Sequence, residues 1–223
     1  MSENDAPGWI GKTKDKLIAS KEKTASARRH LTGEFDSSHE NRLPPGQHLV
    51  EKWPVLDLGV QPDVPLSNWR LRIDGAVENA VALDFDTFMA LPQVDYVSDI
   101  HCVTTWSRYD NRWAGVASQT IIDLVKPSAE ASHVIFHCYD GYTTNIKLDV
   151  FKEPDVLLAH SWEGESLTRE HGGPMRAIVP QWYFWKSAKW IQQIEFSATD
   201  KPGFWEERGY HNEADPWTEQ RYS

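Results

Sequence analysis

The sequence predicts a mixed, strand-rich α+β domain, on three observations. Short runs of β-branched and aromatic residues recur from residue 71 onward, and helical stretches are few and short. No internal repeat, low-complexity run or heptad array breaks the pattern. At 223 residues, 40% hydrophobic and 25% charged, the chain is long enough and apolar enough for one sizeable core.

Residues 1–35 stand apart. Lys12 to Arg29 is rich in Lys, Ala, Ser and Glu and poor in large apolar residues, which predicts a polar surface helix or a partly ordered arm. Its ordinary meaning is a solvated charged face. Residues 36–223 read as a single domain, because no composition break divides them. Asn41-Arg42-Leu43-Pro44-Pro45-Gly46 is rigid and non-helical, since adjacent prolines fix φ and withhold N–H donors. Leu71 to Val77 alternates apolar and polar as a half-buried strand does, then turns at Glu78-Asn79. Phe85 to Leu91 is predicted as a short helix, capped by Asp84 and stopped before Pro92. Val94 to Val97 is a strand leading to His101-Cys102. Ile121 to Val125 is a short helix. Val134 to Phe136, Tyr142 to Leu148, Arg176 to Val179 and Ile191 to Phe196 are strands, and Val156 to Ala159 fits a strand or a short helix.

Charge and composition exclude several functions. A formal net charge of −10 and a pI near 5.3 disfavour nucleic acid as a partner. No apolar run approaches the ~20 residues of a membrane-spanning helix. Met1 to Lys12 has no apolar core of a secretion signal, and Arg28-Arg29 precedes no apolar stretch, so a cytoplasmic location is expected. Two cysteines, Cys102 and Cys138, make no disulfide framework and lack zinc-type spacing. Of 11 tryptophans, five follow position 180, where they can cover a core or wall a flat ligand.

Three segments carry candidate chemistry. The first is Asp99-Ile100-His101-Cys102-Val103-Thr104-Thr105-Trp106-Ser107-Arg108, a thiol after a strand among groups able to lower its pKa. An inert core cysteine is the commoner meaning of such a residue. The functional readings are a nucleophile, a zinc thiolate and a ligand to a softer redox metal. Zinc lacks companion ligands, and His101 is a poor base for Cys102 because neighbours on a strand face opposite ways. The second is His171-Gly172-Gly173-Pro174-Met175-Arg176, followed by Trp185-Lys186-Ser187-Ala188-Lys189-Trp190. Its glycines permit close backbone approach to a ligand and its cations suit an anionic phosphate, while no P-loop or GxGxxG occurs. A turn followed by an amphipathic edge explains it equally. The third, Gly203 to Asn212, contains Tyr210 and His211, which reach a pocket or merely strap the core.

Taken in order, these segments resemble the molybdopterin domain of the sulfite oxidase family, including its short bacterial branch and the methionine sulfoxide reductase catalytic subunits. The likeness begins at Asn41-Arg42-Leu43-Pro44 and runs through the Cys102 loop, Trp113-Ala114-Gly115-Val116 and His133 to Asp140. It continues through Leu167 to Arg176 and Lys186 to Ile191, and ends at Trp205 to Tyr210, about residues 40 to 215. It implies a strand-rich α+β fold around a buried pyranopterin and a molybdenum-molybdopterin (Mo-MPT) cofactor. It implies Cys102 as the metal ligand, with Tyr210 and His211 at the reacting centre. Asn41, Arg42, Leu43, His137, Cys138, His171, Arg176, Lys186, Ser187 and Lys189 are implied to contact the cofactor. The implied activity is two-electron redox or oxygen-atom transfer on a small substrate, with a separate electron-transfer partner. The arginine that precedes Asn41 in true sulfite oxidases is replaced by Glu40, and the arginines after the ligand cysteine by Val103-Thr104-Thr105-Trp106-Ser107. A carboxylate repels an anionic substrate, so a substrate other than sulfite is expected. A non-catalytic cofactor- or partner-binding module on the same fold is the alternative that these losses suggest.

Overall fold

A computed structural model describes residues 42–223 together with Asp15, Lys16, Ile18 and Ala19. Those four are helical, and Ile18 packs against the chain's second apolar cluster. The rest of the predicted arm, and Asn41, lie outside the described residues. The domain is two sheets with short helices between strands, as the strand-rich pattern predicts.

The first sheet is antiparallel except at β11–β2. It contains β2 (Arg70–Gly75), β3 (Val81–Asp84), β6 (His133–Cys138), β7 (Thr143–Lys147) and β11 (Ile191–Ser197), in the order β3-β2-β11-β6-β7. The alternation seen from Leu71 aims Leu71 and Ile73 inward, fully buried, while Arg70 and Arg72 stay exposed. Trp69, Phe88, Phe136, Phe151 and Phe196 fill the core beneath it. Each such burial stabilises the fold by roughly 1.5–3 kcal/mol. Helix α1 (Phe85–Met89) begins as expected, the Asp84 carboxylate accepting from the Thr87 N–H at 2.9 Å, and ends before Pro92.

The second sheet runs β1-β5-β8-β10, with β4 and β9 paired to its sides. Its strands are β1 (His48–Leu49), β4 (Val94–His101), β5 (Trp106–Ala117), β8 (Leu157–Trp162), β9 (Glu165–Ser166) and β10 (Arg176–Ile178). Val156 to Ala159, open between strand and helix in the sequence, is therefore a strand. The twelve-residue β5 has no counterpart among the predicted strands. Its middle, Ser107 to Arg112, is polar, so it shows no hydrophobic alternation; pairing to β4 and β8 holds it instead. The fully buried Asn111 serves this strand, donating to the main-chain oxygens of Ser98 and Arg108 where the β4 register slips between Ser98 and Ile100. Helix α2 (Ser118–Val125) begins earlier than the apolar run beginning at Ile121, and α3 (Leu148–Phe151) follows β7.

At Gly115 the β5 backbone crosses β8 so closely that a Cβ would lie 2.2 Å from the Leu158 carbonyl oxygen and 2.7 Å from the Ala159 Cα. Both contacts are main chain and cannot yield by a rotamer change. Gly115→Ala is expected to destabilise the domain by about 1–3 kcal/mol, read as a lower urea midpoint with an unchanged slope.

Candidate active site

The loop joining β4 to β5 is a tight turn. The Cys102 N–H donates to the Trp106 oxygen at 2.8 Å and the Thr105 N–H to the Cys102 oxygen at 3.0 Å. Thr105 sits at φ 76°, in the left-handed region that a β-branched residue seldom enters, so the turn is held by its surroundings. Two distant side chains do that. Gln47 Nε2 donates to the Cys102 oxygen at 3.1 Å, and the fully buried Arg221 guanidinium donates to the oxygens of Val103 at 2.8 Å and Pro45 at 3.3 Å. His101 points away, as strand geometry requires. Its Nδ1 lies 2.8 Å from Ser107 Oγ, and burial pushes the imidazole down to about 4.

Cys102 opens on a cavity of about 140 Å³. The same cavity is lined by His171, Arg176, Ser187, Lys189 and Tyr210, all singled out in the sequence. Arg176 enters from β10 and is fully buried. Its donors go to the main-chain oxygens of His171 (2.9 Å), Ser187 (2.6 Å) and Ala177 (3.3 Å), and no carboxylate of the described residues pairs with it. Its cation lies over the Phe184 ring at 4.3 Å, and burial pushes its pKa down to about 9, still charged at neutral pH. Lys189 Nζ donates to the Glu170 oxygen at 2.9 Å and approaches Asp57 at 3.8 Å; burial, then Arg176, pushes it down to about 8. His171 lies flat on Trp53, ring centroids 3.9 Å apart, and burial followed by the Arg176 charge pushes it down to about 4. The two glycines after His171 receive protein, not ligand. A Cβ on Gly172, at φ 104°, would meet the side chains of Lys189 and Arg176, and one on Gly173 would meet the Leu167 oxygen at 2.2 Å. Gly172 is what lets the two cations pack together, and Gly173 lets its own segment close onto Leu167.

Tyr210 reaches the cavity because the Phe204 N–H pairs with the Thr143 oxygen on β7, carrying the C-terminal segment across the site. Its ring meets Trp185 edge-on at 5.0 Å. Burial first, then Tyr222 and Cys102, pushes its phenol well above the ordinary tyrosine value. Other residues implied by the resemblance lie elsewhere. Arg42 bridges Asp99 at 2.6 Å and Asp110 at 2.8 Å and covers the Tyr109 ring; Leu43 is core. His137 pairs with Glu195 at 3.0 Å, and Cys138 is buried in the other apolar cluster, where burial drives its thiol up. Lys186 is fully buried in an ion pair with Glu206 at 2.6 Å. His211 Nδ1 accepts from the Glu213 N–H at 3.1 Å, closing a turn. Sequence reasoning missed Gln47, Trp53, Thr104, Glu206 and Arg221. Thr104 and Glu206 lie in segments singled out above without being given a role, while Gln47, Trp53 and Arg221 belong to no motif and matter through partners more than forty residues away; only the aromatic excess hinted at Trp53.

The donor set fits a phosphate-bearing pterin. A buried guanidinium with only neutral partners beside a lysine is a site for an anion, the stacked aromatics suit a flat ring, and the thiol offers a soft ligand. Removing the fork in Arg221→Met leaves two carbonyls unpaired, a loss of about 1–3 kcal/mol. Cys102 of the apoprotein is then expected to react faster with a neutral maleimide than in wild type, with Cys138 inert in both; an unchanged rate would show that the turn holds itself.

The chain resembles known proteins along most of its length. Residues 58–205 match a family model described as the oxidoreductase molybdopterin binding domain. A Bacillus subtilis oxidoreductase, YuiH, is 44% identical over 191 residues, covering 84% of this chain and 95% of that one. A putative protein-methionine-sulfoxide reductase subunit of Azospira oryzae, YedZ1, is 34% identical over 149 residues, 67% of this chain and 56% of its own. In fold, the sulfane dehydrogenase SoxCD of Paracoccus pantotrophus matches 75% of this chain and 56% of its own at a TM-score of 0.59 and 18% identity.

Proposed function

Because the chain belongs to the oxidoreductase molybdopterin-binding family, a family of molybdopterin-dependent oxidoreductases, we propose that the Cys102 cavity is where it holds molybdenum-molybdopterin and acts on a small substrate. The single observation that carries this reading is Arg176, buried, charged and without a carboxylate, in the same cavity as the Cys102 thiol. When bound, the cofactor supplies the two-electron redox and oxygen-atom transfer chemistry.

In this proposal the chain's own residues divide the work. Cys102 supplies the soft thiolate that ligates the metal. Arg176 and Lys189 hold the phosphate. His171 is neutral and lies on Trp53, so it offers a ring edge and a hydrogen bond rather than a charge. Ser187 ties its segment to the end of β10, its Oγ accepting from the Val179 N–H at 2.9 Å. Tyr210 keeps its proton, because burial holds the phenol neutral, and so donates a hydrogen bond toward the Cys102 side of the cavity. The positions that follow Cys102 are Val103-Thr104-Thr105-Trp106-Ser107, without a cation. An anion such as sulfite is poorly served there, which supports a neutral or weakly polar substrate. Electrons pass to or from a separate partner, since a centre handling electron pairs needs a distinct carrier. No helix of the described residues is long and apolar enough to cross a membrane. A cytoplasmic location is part of the same proposal.

Cys102→Ser is expected to lose or greatly weaken molybdenum binding while its thermal unfolding midpoint stays near that of wild-type apoprotein; full metal retention would refute the ligand assignment. Arg176→Ala is expected to weaken cofactor binding by about 1.5–3 kcal/mol, the worth of a charge-assisted hydrogen bond, measured as occupancy at limiting cofactor. The Lys189 pKa of about 8 sets a pH dependence. Below 8 the ammonium is protonated and attracts the phosphate; above it the charge is lost, so apoprotein affinity for molybdopterin falls as pH rises through 8. A titration of affinity from pH 6.5 to 9.5 checks this: in Lys189→Met the fall near 8 should disappear, leaving only the fall near 9 where Arg176 loses its charge.

A further inference from the structure

The turn that buries Cys102 also brings a hydroxyl onto its sulfur. Thr104 Oγ1 lies 3.1 Å from Cys102 Sγ, and Thr104 itself lines the cavity. Its position is fixed from both sides. The Cys102 N–H to Trp106 and the Thr105 N–H to Cys102 close the turn, Thr105 holds φ 76°, and Gln47 and Arg221 pin the carbonyls of Cys102 and Val103. With a free thiol either atom of the Thr104–Cys102 pair can donate. When a metal takes the place of the thiol proton, only the hydroxyl has a proton left to give, and the bond must run from Oγ1–H to sulfur.

We propose that Thr104 is a tuning residue of the molybdenum centre, donating a hydrogen bond to the ligand sulfur. This inference rests on Cys102 being the ligand. A hydrogen bond to a metal-bound thiolate withdraws charge from the sulfur, so less is donated to the metal and its reduced state is favoured. The hydroxyl therefore raises the midpoint potential. It also lowers the energy of the sulfur lone pair and so moves sulfur-to-metal charge-transfer absorption to shorter wavelength. Among the neighbouring side chains, that of Val103 carries no donor, the Thr105 hydroxyl donates to the Thr104 oxygen at 2.6 Å, and Ser107 faces His101 and Gln47.

Thr104→Val removes the donor at nearly constant shape, and Thr104→Ser keeps it. Purified holoenzyme of each is assayed for molybdenum, for midpoint potential by redox titration, and for absorption. The expected result is wild-type metal content in both. In Thr104→Val the potential falls by about 59 mV, a tenfold shift of a one-electron equilibrium, and the charge-transfer band moves to longer wavelength, while Thr104→Ser stays near wild type. An unchanged potential and band in Thr104→Val would overturn the proposal. So would an equal shift in Thr104→Ser, or loss of the metal from Thr104→Val, because a bond that only tunes leaves ligation intact. Cys102→Ser on the same preparation separates the two readings: if it keeps its molybdenum, the ligand assignment fails, whatever Thr104 does.

Discussion

A guanidinium removed from water costs several kcal/mol unless something answers its charge, and among the described residues Arg176 is answered by main-chain oxygens and aromatic rings, with no carboxylate. His171, Ser187 and Ala177 supply dipoles, and Phe184 supplies a ring face. Lys189 adds a second cation on the same cavity, only partly balanced by Asp57 at 3.8 Å. Such an arrangement is poorly balanced by itself and well balanced with a phosphate in place. The surrounding construction serves it. Gly172 lets the cations pack together, Trp53 lies against His171, and β10 and the segment leading to β11 face each other across Arg176 and Lys189.

The thiol is delivered by different means. Cys102 sits at the end of β4, where the second sheet turns back on itself, and its loop is held in an uncommon backbone shape by groups from both ends of the chain, Gln47 and Arg221. Arg221 lies beyond the residues that match the family model, as does Tyr210. The C-terminal segment is thus part of the cavity's construction, and the Lys186–Glu206 pair extends this. Glu206 Oε1 also accepts from Trp185 Nε1 at 2.9 Å and from the Thr144 hydroxyl at 3.0 Å. The ion pair therefore orients an indole that walls the cavity and meets Tyr210. Lys186 is thereby linked to the cavity wall through that indole.

Much of this was legible in the sequence. Alternation from Leu71, the cap at Asp84 and the short apolar runs at Val134 and Ile191 each depend on neighbours in the chain, and the structure has those elements there. The polar strand β5 depends on partners in β4 and β8, which no local pattern reveals. The site divides in the same way. Cys102, His171, Arg176, Ser187, Lys189 and Tyr210 were readable as motif members and line one cavity. Arg42, Lys186 and His137 were read as cofactor contacts from their positions in the resemblance; in the structure each also meets a carboxylate from a distant strand or turn, which no local pattern shows. Gln47, Trp53 and Arg221 were invisible because their importance arises only on folding.

The central claim is that one cavity holds both a metal at Cys102 and a phosphate at Arg176. Its most direct test is elemental analysis of native protein, made in a host that synthesises the cofactor, for molybdenum, tungsten and zinc, with acid-released pterin fluorescence on the same sample. Near-stoichiometric molybdenum with an equal amount of pterin is the expected result. Protein containing neither, or zinc without pterin, would contradict it.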